Sequence, residues 1–413
     1  MNQLRSTSLI LLALLCTSGL AACGDDANDG DDDGTPGADA GPGGADAAPE
    51  GPAYVVGSLL FGPDQTTSYV SVLDSMGAQT IDYDQAREFS GSADIWVENG
   101  KVYVAEAETL KITRFAVSGH GLVEEKSVSF AAYGLTQFGF WLNTFVSPQK
   151  AYFLNGAEEM IVWDPSAMEI TGTIELPAFA VPAGMKAYPA YMDRAVQVRD
   201  GKLYEPFYFT DDTYFSYTAS SHILVVDTAT DAIVDDIDAP CPGLDYGTAD
   251  AKGNLYFSSW VYAAGAAFVL DQPDTCVFTI PKTGTPAKAF AFADVTQGSQ
   301  GAALRSIGTD LWLFSVLDKD HVTVGNMPDA GMITFGPNWQ FWTYNQATHA
   351  AGPIASIAYN AGGQYSFAID DTTIMLVPAG DYTKTTVYDL GDGSAPAPLF
   401  ETRGWSTRVF KVR

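Results

Sequence analysis

Apolar and polar residues alternate along most of the chain after about residue 53, in short runs separated by turn residues. The clearest pattern is "RAVQVRDGKLYEPFYF" with "HILVVDTATDAIVDDIDA", which begins at Arg194, and a second copy begins at Asp245 with "DYGTADAKGNLYFSSW". A period of two predicts half-buried strands, and Asp200-Gly201 and Lys252-Gly253 are typical of the tight turns that join them. Each copy therefore predicts four antiparallel strands, A to D.

The same unit recurs around the chain. Weaker copies begin near Ile95, Phe145, Ala303 and Ile357, which makes six complete units. A seventh is split: "AYVVGSLLF", "TSYVSVLDS" and "QTIDYDQAREF" predict strands B to D, and the C-terminal "STRVFKVR" supplies the missing A. Repeats of roughly 40–55 residues are typical of solenoids and propellers. Because joining the two ends removes an open sheet edge, we predict an all-β, seven-bladed β-propeller over residues 53–413, whose first blade is closed by the C-terminal strand.

The first 22 residues have the layout of a secretory signal, with Arg5, the apolar run "SLILLALLC" and small residues before Cys23. The spacing "LAAC" resembles the bacterial lipobox, which implies cleavage before Cys23 and a lipid on its sulfur. An ordinary signal peptide that happens to contain a cysteine is the alternative. Asp does not follow Cys23, and by analogy with that family this favours the outer membrane.

Residues 23–52 are acidic and almost free of large apolar side chains, so they cannot bury enough surface to fold. We expect a disordered tether that holds the domain away from the membrane. Asp29, Asp31, Asp33 and Gly34 match the first half of a calcium-binding loop. The position that should supply a bidentate Glu is Ala40, which favours a solvated acidic run.

Charge and cysteine content narrow the class of protein further. The sequence has 50 acidic and 21 basic residues, a net charge of −29, and a surface this acidic repels nucleic acid. Cys241 and Cys276 remain as a pair in a chain expected to be exported, which favours a disulfide over two buried thiols.

Signatures of catalysis are missing from the sequence. It has no G-x-S-x-G, H-E-x-x-H, C-x-x-C or phosphate-binding glycine loop, and His120, His222, His321 and His349 are isolated from one another. We therefore expect no enzyme activity, no catalytic residue, no metal site and no cofactor. A hydrolase with paired carboxylates on the funnel floor is the weaker alternative.

The blades differ in one respect that points to a binding surface. The units starting at Arg194, Asp245 and Arg305 have long B-to-C loops, whereas the others have tight ones. Long loops on one rim usually form a binding surface. Cys241 and Cys276 are predicted on the same face, where a disulfide would make the rim more rigid.

Basic and aromatic residues accompany these loops. Arg194, Arg305 and Arg403 each lie near the start of an A strand, where they would face the funnel mouth. The aromatic residues expected around the same mouth are Phe138, Trp141, Tyr188, Tyr191, Tyr246 and Trp405. Each arginine could instead form a structural salt bridge, and each ring could pack between blades. Together they predict a pocket for a planar, anionic, aromatic ligand, since guanidinium groups pair with anions and stack on rings.

The lipobox, acidic tether, split-blade propeller and Arg/aromatic A-strand starts together resemble the siderophore-associated β-propeller lipoproteins, which are outer-membrane iron-uptake accessory proteins. This resemblance implies a surface-exposed, monomeric lipoprotein of the bacterial cell envelope. It would bind a ferric catecholate siderophore and pass it to a TonB-dependent outer-membrane receptor. Iron would be present only within the siderophore. The alternative is a non-catalytic surface scaffold or adhesin that binds a protein partner through the long loops.

The lipid anchor is directly testable. We expect Cys23→Ser to abolish incorporation of labelled fatty acid and to release the protein from the membrane fraction. Unchanged membrane fractionation, together with an unlabelled wild-type protein, would show that Cys23 is not lipidated.

Overall fold

The computed structural model describes residues 51–413, except 63–64, 82, 271, 323–332, 335, 364 and 392–394. Its strands form seven sheets, six of them fully antiparallel, arranged as a seven-bladed β-propeller. The predicted fold class is therefore confirmed. The signal, Cys23, the calcium-like run and the tether up to residue 50 lie outside the described residues.

The first blade joins the two ends of the folded domain. Its innermost strand is the C-terminal Trp405–Lys411, followed outward by Tyr54–Phe61, Thr66–Leu73 and Arg87–Ser90. The register places Tyr54 beside Lys411 and Leu59 beside Trp405. The sequence predicted this closure correctly.

The next three blades follow in chain order. The second contains Ala93–Glu98, Lys101–Glu106, Lys111–Ser118 and Gly121–Ser129. The third contains Asn143–Ser147, Lys150–Asn155, Glu159–Asp164 and Glu169–Glu175. In the fourth, Lys186–Pro189 and Gln197–Arg199 both pair with Lys202–Thr210, which is followed by Ser221–Asp227 and Ala232–Ala239.

The remaining blades complete the ring. The fifth contains Leu244–Ala249, Leu255–Ser259, Cys276–Ile280 and Ala287–Ala291. The sixth contains Gly301–Ser306, Leu311–Leu317, Trp339–Asn345 and Ala350–Pro353. The seventh contains Tyr365–Ile369, Thr372–Pro378, Lys384–Asp389 and Ala397–Arg403, and Thr80–Ile81 is added in parallel at its outer edge.

Helices are short and lie between strands. The α-helices are Met192–Ala195, Val261–Leu270 and Phe292–Val295, and 3-10 turns occur at Ala131–Tyr133 and Phe140–Leu142. None of the helices in the described part of the chain is long and apolar enough to span a membrane.

Burial explains why the strands have their sequence pattern. Strand Lys150–Asn155 is buried at four successive positions, because the middle of a blade packs against a neighbouring blade on each face. The outermost strand Ala232–Ala239 is mostly exposed and carries three aspartates. Strongly apolar runs therefore mark central strands, and alternating acidic runs mark outer ones.

The long loops occupy the face on which the inner strands begin, which we call the mouth face. They leave strands at Thr210, Ser259 and Leu317 and return at Ser221, Cys276 and Trp339. Loops of this length usually add little to a hydrophobic core. Instead they share one with the blades beneath them, and the helix Val261–Leu270 is buried along its first seven residues.

The disulfide between Cys241 and Cys276 is present, as the sequence predicted. Cys241 precedes the inner strand of the fifth blade and Cys276 begins its third strand, so both lie on the mouth face. The bond therefore fixes the base of the loop that carries the helix.

The chain enters the propeller on the opposite face. Ala53 donates a backbone hydrogen bond to Arg413 O (3.1 Å), beyond the end of the inner strand that starts at Trp405. The point at which the propeller begins, Ala53, is thus separated from the mouth face by the full length of the inner strand.

Deleting Ser406–Arg413 tests the closure. We expect the truncated domain to aggregate or unfold, because the first blade loses its inner strand and exposes the edge of Tyr54–Phe61. A domain that begins at Gly51 and keeps its C terminus is the control and should melt like the full chain. Cooperative melting of the truncated protein at the control temperature would contradict closure by this strand.

Candidate functional site

A buried ion pair joins the fourth and fifth blades at the mouth of the funnel. Arg194 lies in the short helix before the inner strand of the fourth blade, and its Nη2 donates to Asp245 Oδ2. Asp245 Oδ1 accepts a hydrogen bond from the Tyr191 backbone N–H (2.7 Å), and the two paired side chains are almost fully buried. Burial disfavours the charged form of Arg194 and is the largest single influence, but Asp245 and the other acidic groups around it together outweigh burial and raise the pKa of Arg194 well above its ordinary value.

A second arginine comes from the C-terminal strand. Arg408 Nη2 donates to Asp94 Oδ2 (3.0 Å) of the second blade and also to Asp193 Oδ2, and its side chain is 4% exposed. Its Nε lies 3.0 Å from Asp94 Oδ1 in ion-pair contact, outside hydrogen-bond geometry. Asp94 also accepts from the backbone N–H groups of Ile95 and Phe140 (3.0 Å each), so its oxygens are engaged.

A third arginine, Arg305, has no such partner. It lies on the inner strand of the sixth blade, and its Nη1 donates to Gly247 O (3.0 Å). Among the described residues it forms no ion pair with a carboxylate, although its side chain is only partly exposed. Burial lowers the pKa of Arg305 and the like charges of Arg194 and Arg408 add to this, whereas Tyr246 and the more distant carboxylate of Asp193 act in the opposite direction. An arginine remains protonated under such shifts, so Arg305 keeps a positive charge with donors to spare.

Gly247 makes this arrangement sterically possible. A Cβ atom at this position would lie 2.0 Å from Ala195 O, so only glycine lets the inner strand of the fifth blade approach that backbone. The Gly247 carbonyl then faces Arg305.

Aromatic rings surround the three arginines. The Arg194 guanidinium carbon lies 4.2 Å from the Tyr191 ring centre and 4.5 Å from that of Tyr246, and Arg305 lies 5.8 Å from the Tyr246 ring. Tyr365, on the inner strand of the seventh blade, lies 5.7 Å from Arg408. Such contacts place arginine charge over ring faces.

Two partly exposed aromatic walls flank this cluster. On one side Tyr191 contacts Trp260 and Trp141, at 6.3 and 6.5 Å between ring centres. On the other side Trp405 contacts Tyr365 and Tyr382, at 6.3 and 5.7 Å. The mouth therefore offers ring faces on opposite sides of the charged cluster.

The phenol groups here are neutral at physiological pH. Burial is the largest cause in each case: it raises the pKa of Tyr246 to about 12 and also raises the pKa values of Tyr191 and Tyr365. The nearby arginines oppose this shift without reversing it. Neutral phenols can still donate hydrogen bonds, which suits an anion.

Glu205 is a further buried acid, fully shielded from solvent. Neither of its carboxyl oxygens has a hydrogen-bond partner among the described residues. Burial raises the pKa of Glu205 well above its ordinary value, and the charge of Asp245 adds to the shift. It is therefore held as a neutral acid, adding no negative charge to the cluster.

The structure brings some of the predicted residues together and separates others. Arg194, Arg305, Tyr191 and Tyr246 converge, and Trp141 and Trp405 belong to the walls. Tyr188 lies farther out and stacks on Tyr208. Phe138 is 3% exposed and packs in the core against Phe130 and Phe153, which is the alternative that the sequence left open.

Arg403 is the predicted arginine that does not join the cluster. It ends the outer strand of the seventh blade, two residues before the inner strand at Trp405, and its side chain is exposed. It lines a groove outside the funnel together with Tyr69 and Tyr83. The sequence analysis assigned Arg403 to the start of the inner strand that begins at Trp405. In the structure it is the last residue of the preceding outer strand, Ala397–Arg403.

The sequence interpretation missed Arg408, Asp94, Asp193, Tyr365 and Trp260. Arg408 had a usable signal, because it is a charge inside a strand that was predicted to be innermost, and inner strands line the funnel. Asp94 and Asp193 became recognisable as its partners only once the ring had brought the second and fourth blades together.

The four histidines are dispersed. His120 lies 3.4 Å from Asp74, His222 contacts Asp236, His349 contacts Tyr344, and His321 stacks on Tyr359. The part of the chain that the structure describes contains no group of three side chains able to hold a metal ion.

Comparison with known proteins supports the fold alone. No protein-family model matches the chain, and no curated protein sequence matches it significantly. Among solved structures, the periplasmic gluconolactonase PpgL of Pseudomonas aeruginosa is similar, with a TM-score of 0.54 and 10% identity, over 88% of this chain and 99% of that one. A protein named provisionally as a 6-phosphogluconolactonase, from Bacteroides uniformis, has a TM-score of 0.52 and 12% identity over 88% and 99%. At these identities the likeness shows a shared β-propeller and carries no activity.

Substituting an arginine that pairs with an aspartate should lower stability more than substituting one without a carboxylate partner. We expect Arg194→Gln to lower the free energy of unfolding by about 3–5 kcal/mol, because it leaves Asp245 buried without its partner. Arg305→Gln should cost about 1 kcal/mol, since it removes one hydrogen bond and relieves repulsion. Urea unfolding of the two variants measures the difference, and equal losses would contradict this division of roles.

Proposed function

We propose that this protein is a non-catalytic, ligand-binding β-propeller that takes a small anionic ligand with flat rings at its funnel mouth. The observation that carries the proposal is Arg305, the one of the three clustered arginines without a carboxylate partner among the described residues. The two flanking arginines donate to aspartates, whereas Arg305 donates to the Gly247 carbonyl, so the Arg305 guanidinium is the one whose remaining donors are open to a ligand. A partly desolvated guanidinium binds anions more strongly than an exposed one.

The rings favour a flat ligand over a compact inorganic anion. Trp260 and Tyr191 form one wall and Trp405 and Tyr365 the other, and all four are partly exposed. Such rings can stack on aromatic groups of a ligand. A ferric catecholate siderophore, which is trianionic and carries three aromatic rings, matches this combination of charge and stacking.

The acids at the mouth support binding rather than catalysis. Asp94, Asp193 and Asp245 each accept from an arginine, and Glu205 is buried and neutral. Burial raises the pKa of Asp94 and of Asp245, but the oxygens of both carboxylates already accept hydrogen bonds, so neither is placed to take a proton from a substrate.

We place the protein in the bacterial cell envelope, as a surface-exposed outer-membrane lipoprotein anchored through Cys23. There it would deliver its ligand to a TonB-dependent outer-membrane receptor. This part of the proposal rests on the "LAAC" motif and the acidic run that follows it.

The alternative of a surface scaffold receives less support. The large apolar side chains Tyr217, Val261 and Ile333 of these loops, which could otherwise anchor a protein partner, are buried in a core shared with the blades. The loops are better suited to holding Trp260 and Tyr214 beside the mouth, where their ring centres lie 5.6 Å apart.

Titration of the domain from Ala53 with a ferric tris-catecholate siderophore, followed by tryptophan fluorescence, tests the proposal. We expect Arg305→Gln to weaken binding about tenfold to a hundredfold, equivalent to about 1.5–3 kcal/mol. Arg305→Lys should recover only part of this loss, because an ammonium lacks the planar fork.

Arg403→Gln is the matched control, because it removes the same charge outside the funnel and should leave this affinity unchanged. Absence of binding, or equal affinity in wild type and Arg305→Gln, would refute the funnel site and favour the surface scaffold.

A further inference from the structure

A groove of 1120 Å³ lies where the first and seventh blades meet. It opens on the mouth face, outside the ring of inner strands, since it is lined by the end of strand Tyr54–Phe61 and the end of strand Ala397–Arg403. Known ligand pockets have volumes of about 300–1,000 Å³, so this groove can hold a ligand of several rings.

A segment of the first blade forms one wall of the groove. Between its third and fourth strands the chain crosses to the seventh blade, where Thr80 and Ile81 pair in parallel with Glu401 and Thr402. The described part of this crossing, residues 74–81 and 83–86, is called the strap. Its strand Thr80–Ile81 is the fifth of the seventh blade and lines the groove.

Two tyrosines fix the strap across the seam. The rings of Tyr69 and Tyr83 stack with centres 4.4 Å apart and planes 6° apart, and the Tyr83 hydroxyl donates to the backbone carbonyl of Arg403. Both rings line the groove, and neither is fully buried. They present an apolar face held in place from both blades.

Arg403 supplies the charge. Its guanidinium is exposed to the groove and has no hydrogen bond or ion pair with any described residue. The neighbouring Lys384, by contrast, pairs with Glu401 at 2.6 Å. In a chain with 50 acidic and 21 basic residues, an arginine that lines a groove and forms no ion pair with a described carboxylate is chemically distinctive.

Polar groups account for much of the remaining lining. Thr67, Thr80 and Gln65 line the groove with side chains that form hydrogen bonds, and the carboxylates Asp84 and Glu401 also lie in the lining. A ligand must then carry hydroxyl groups as well as a negative charge and an apolar ring face. Sugar rings combine hydroxyl edges with an apolar C–H face, and uronates add a carboxylate.

We propose that this seam groove is a second binding site, which takes a short acidic oligosaccharide: a uronate carboxylate pairs with Arg403 and a sugar ring lies on the Tyr69–Tyr83 stack. The proposal shares no residue with the funnel site and does not depend on it. Because such a ligand contacts the first and seventh blades together, its binding also stabilises the closed ring.

Calorimetric titration of the domain from Ala53 with trimers of galacturonate, glucuronate and guluronate, against neutral trigalactose, tests the proposal. We expect at least one uronate trimer to bind, trigalactose to bind at least tenfold more weakly, and the bound trimer to raise the melting temperature. Arg403→Gln should weaken uronate binding at least tenfold, and Arg403→Lys should recover part of it. Tyr69→Ala should weaken both kinds of sugar, because it removes the stacked face.

Three controls separate this site from folding defects and from the funnel. Tyr83→Phe keeps the ring and should retain most of the binding. Arg305→Gln should leave uronate affinity unchanged, whatever its effect on siderophore binding. Arg87→Gln makes the same charge change on the surface of the first blade, where Arg87 lies 3.9 Å from Glu124, and should have no effect. Failure of all three uronates to bind at millimolar concentration, or equal binding by wild type and Arg403→Gln, would overturn the proposal.

Discussion

The buried guanidinium of Arg408 connects more of this molecule than any other side chain we describe. It lies on the last strand of the chain, yet it pairs with Asp94 of the second blade and with Asp193 next to the fourth. Breaking a buried pair of this kind costs about 3–5 kcal/mol, because the charge left behind has no solvent. Backbone hydrogen bonds between the C-terminal strand and Tyr54–Phe61 close the ring within the first blade. The ion pairs of Arg408 then join this blade to Asp94 and Asp193 across the inner side of the ring.

Local irregularities in the inner strands let these charges meet. Asp245 is an extra residue between Leu244 and Tyr246 in the pairing with the next strand, and Thr407 is the corresponding extra residue beside Arg408. A third irregularity precedes Arg305, where Ala303 has a φ of 62°. A β-bulge changes the direction of the side chains next to it. Without these bulges, some of the charged side chains would point into the interfaces between blades.

The sequence predicted the architecture well because the fold depends on local, repeated signals. Turn pairs such as Asp200-Gly201 and apolar strands recur in each unit, and the orphan strand "STRVFKVR" could complete only the incomplete first blade. The Cys241–Cys276 bond was predictable because these are the two cysteines that remain outside the signal region of a chain expected to be exported. Predicting these features requires only the sequence pattern within one blade or the order of the blades along the chain.

The site was harder to predict because it depends on which blades face each other across the axis. The pairing of Asp193 with Arg408 spans 215 positions in sequence, and nothing near either residue indicates it. Arg403 was assigned to the funnel because the link to Trp405 is short, whereas Gly404 adopts a φ of 78° at this point and the chain turns between outer and inner strands. The strap was missed because Thr80–Ile81 pairs with a different blade from its neighbours in sequence.

The entry of the chain at Ala53 determines how the domain would present itself to its surroundings. That point lies on the face away from the funnel mouth and the seam groove, at the far end of the inner strand of the first blade. Both openings therefore point away from the place where the propeller begins. A solute that reaches either opening approaches the domain from the side opposite Ala53.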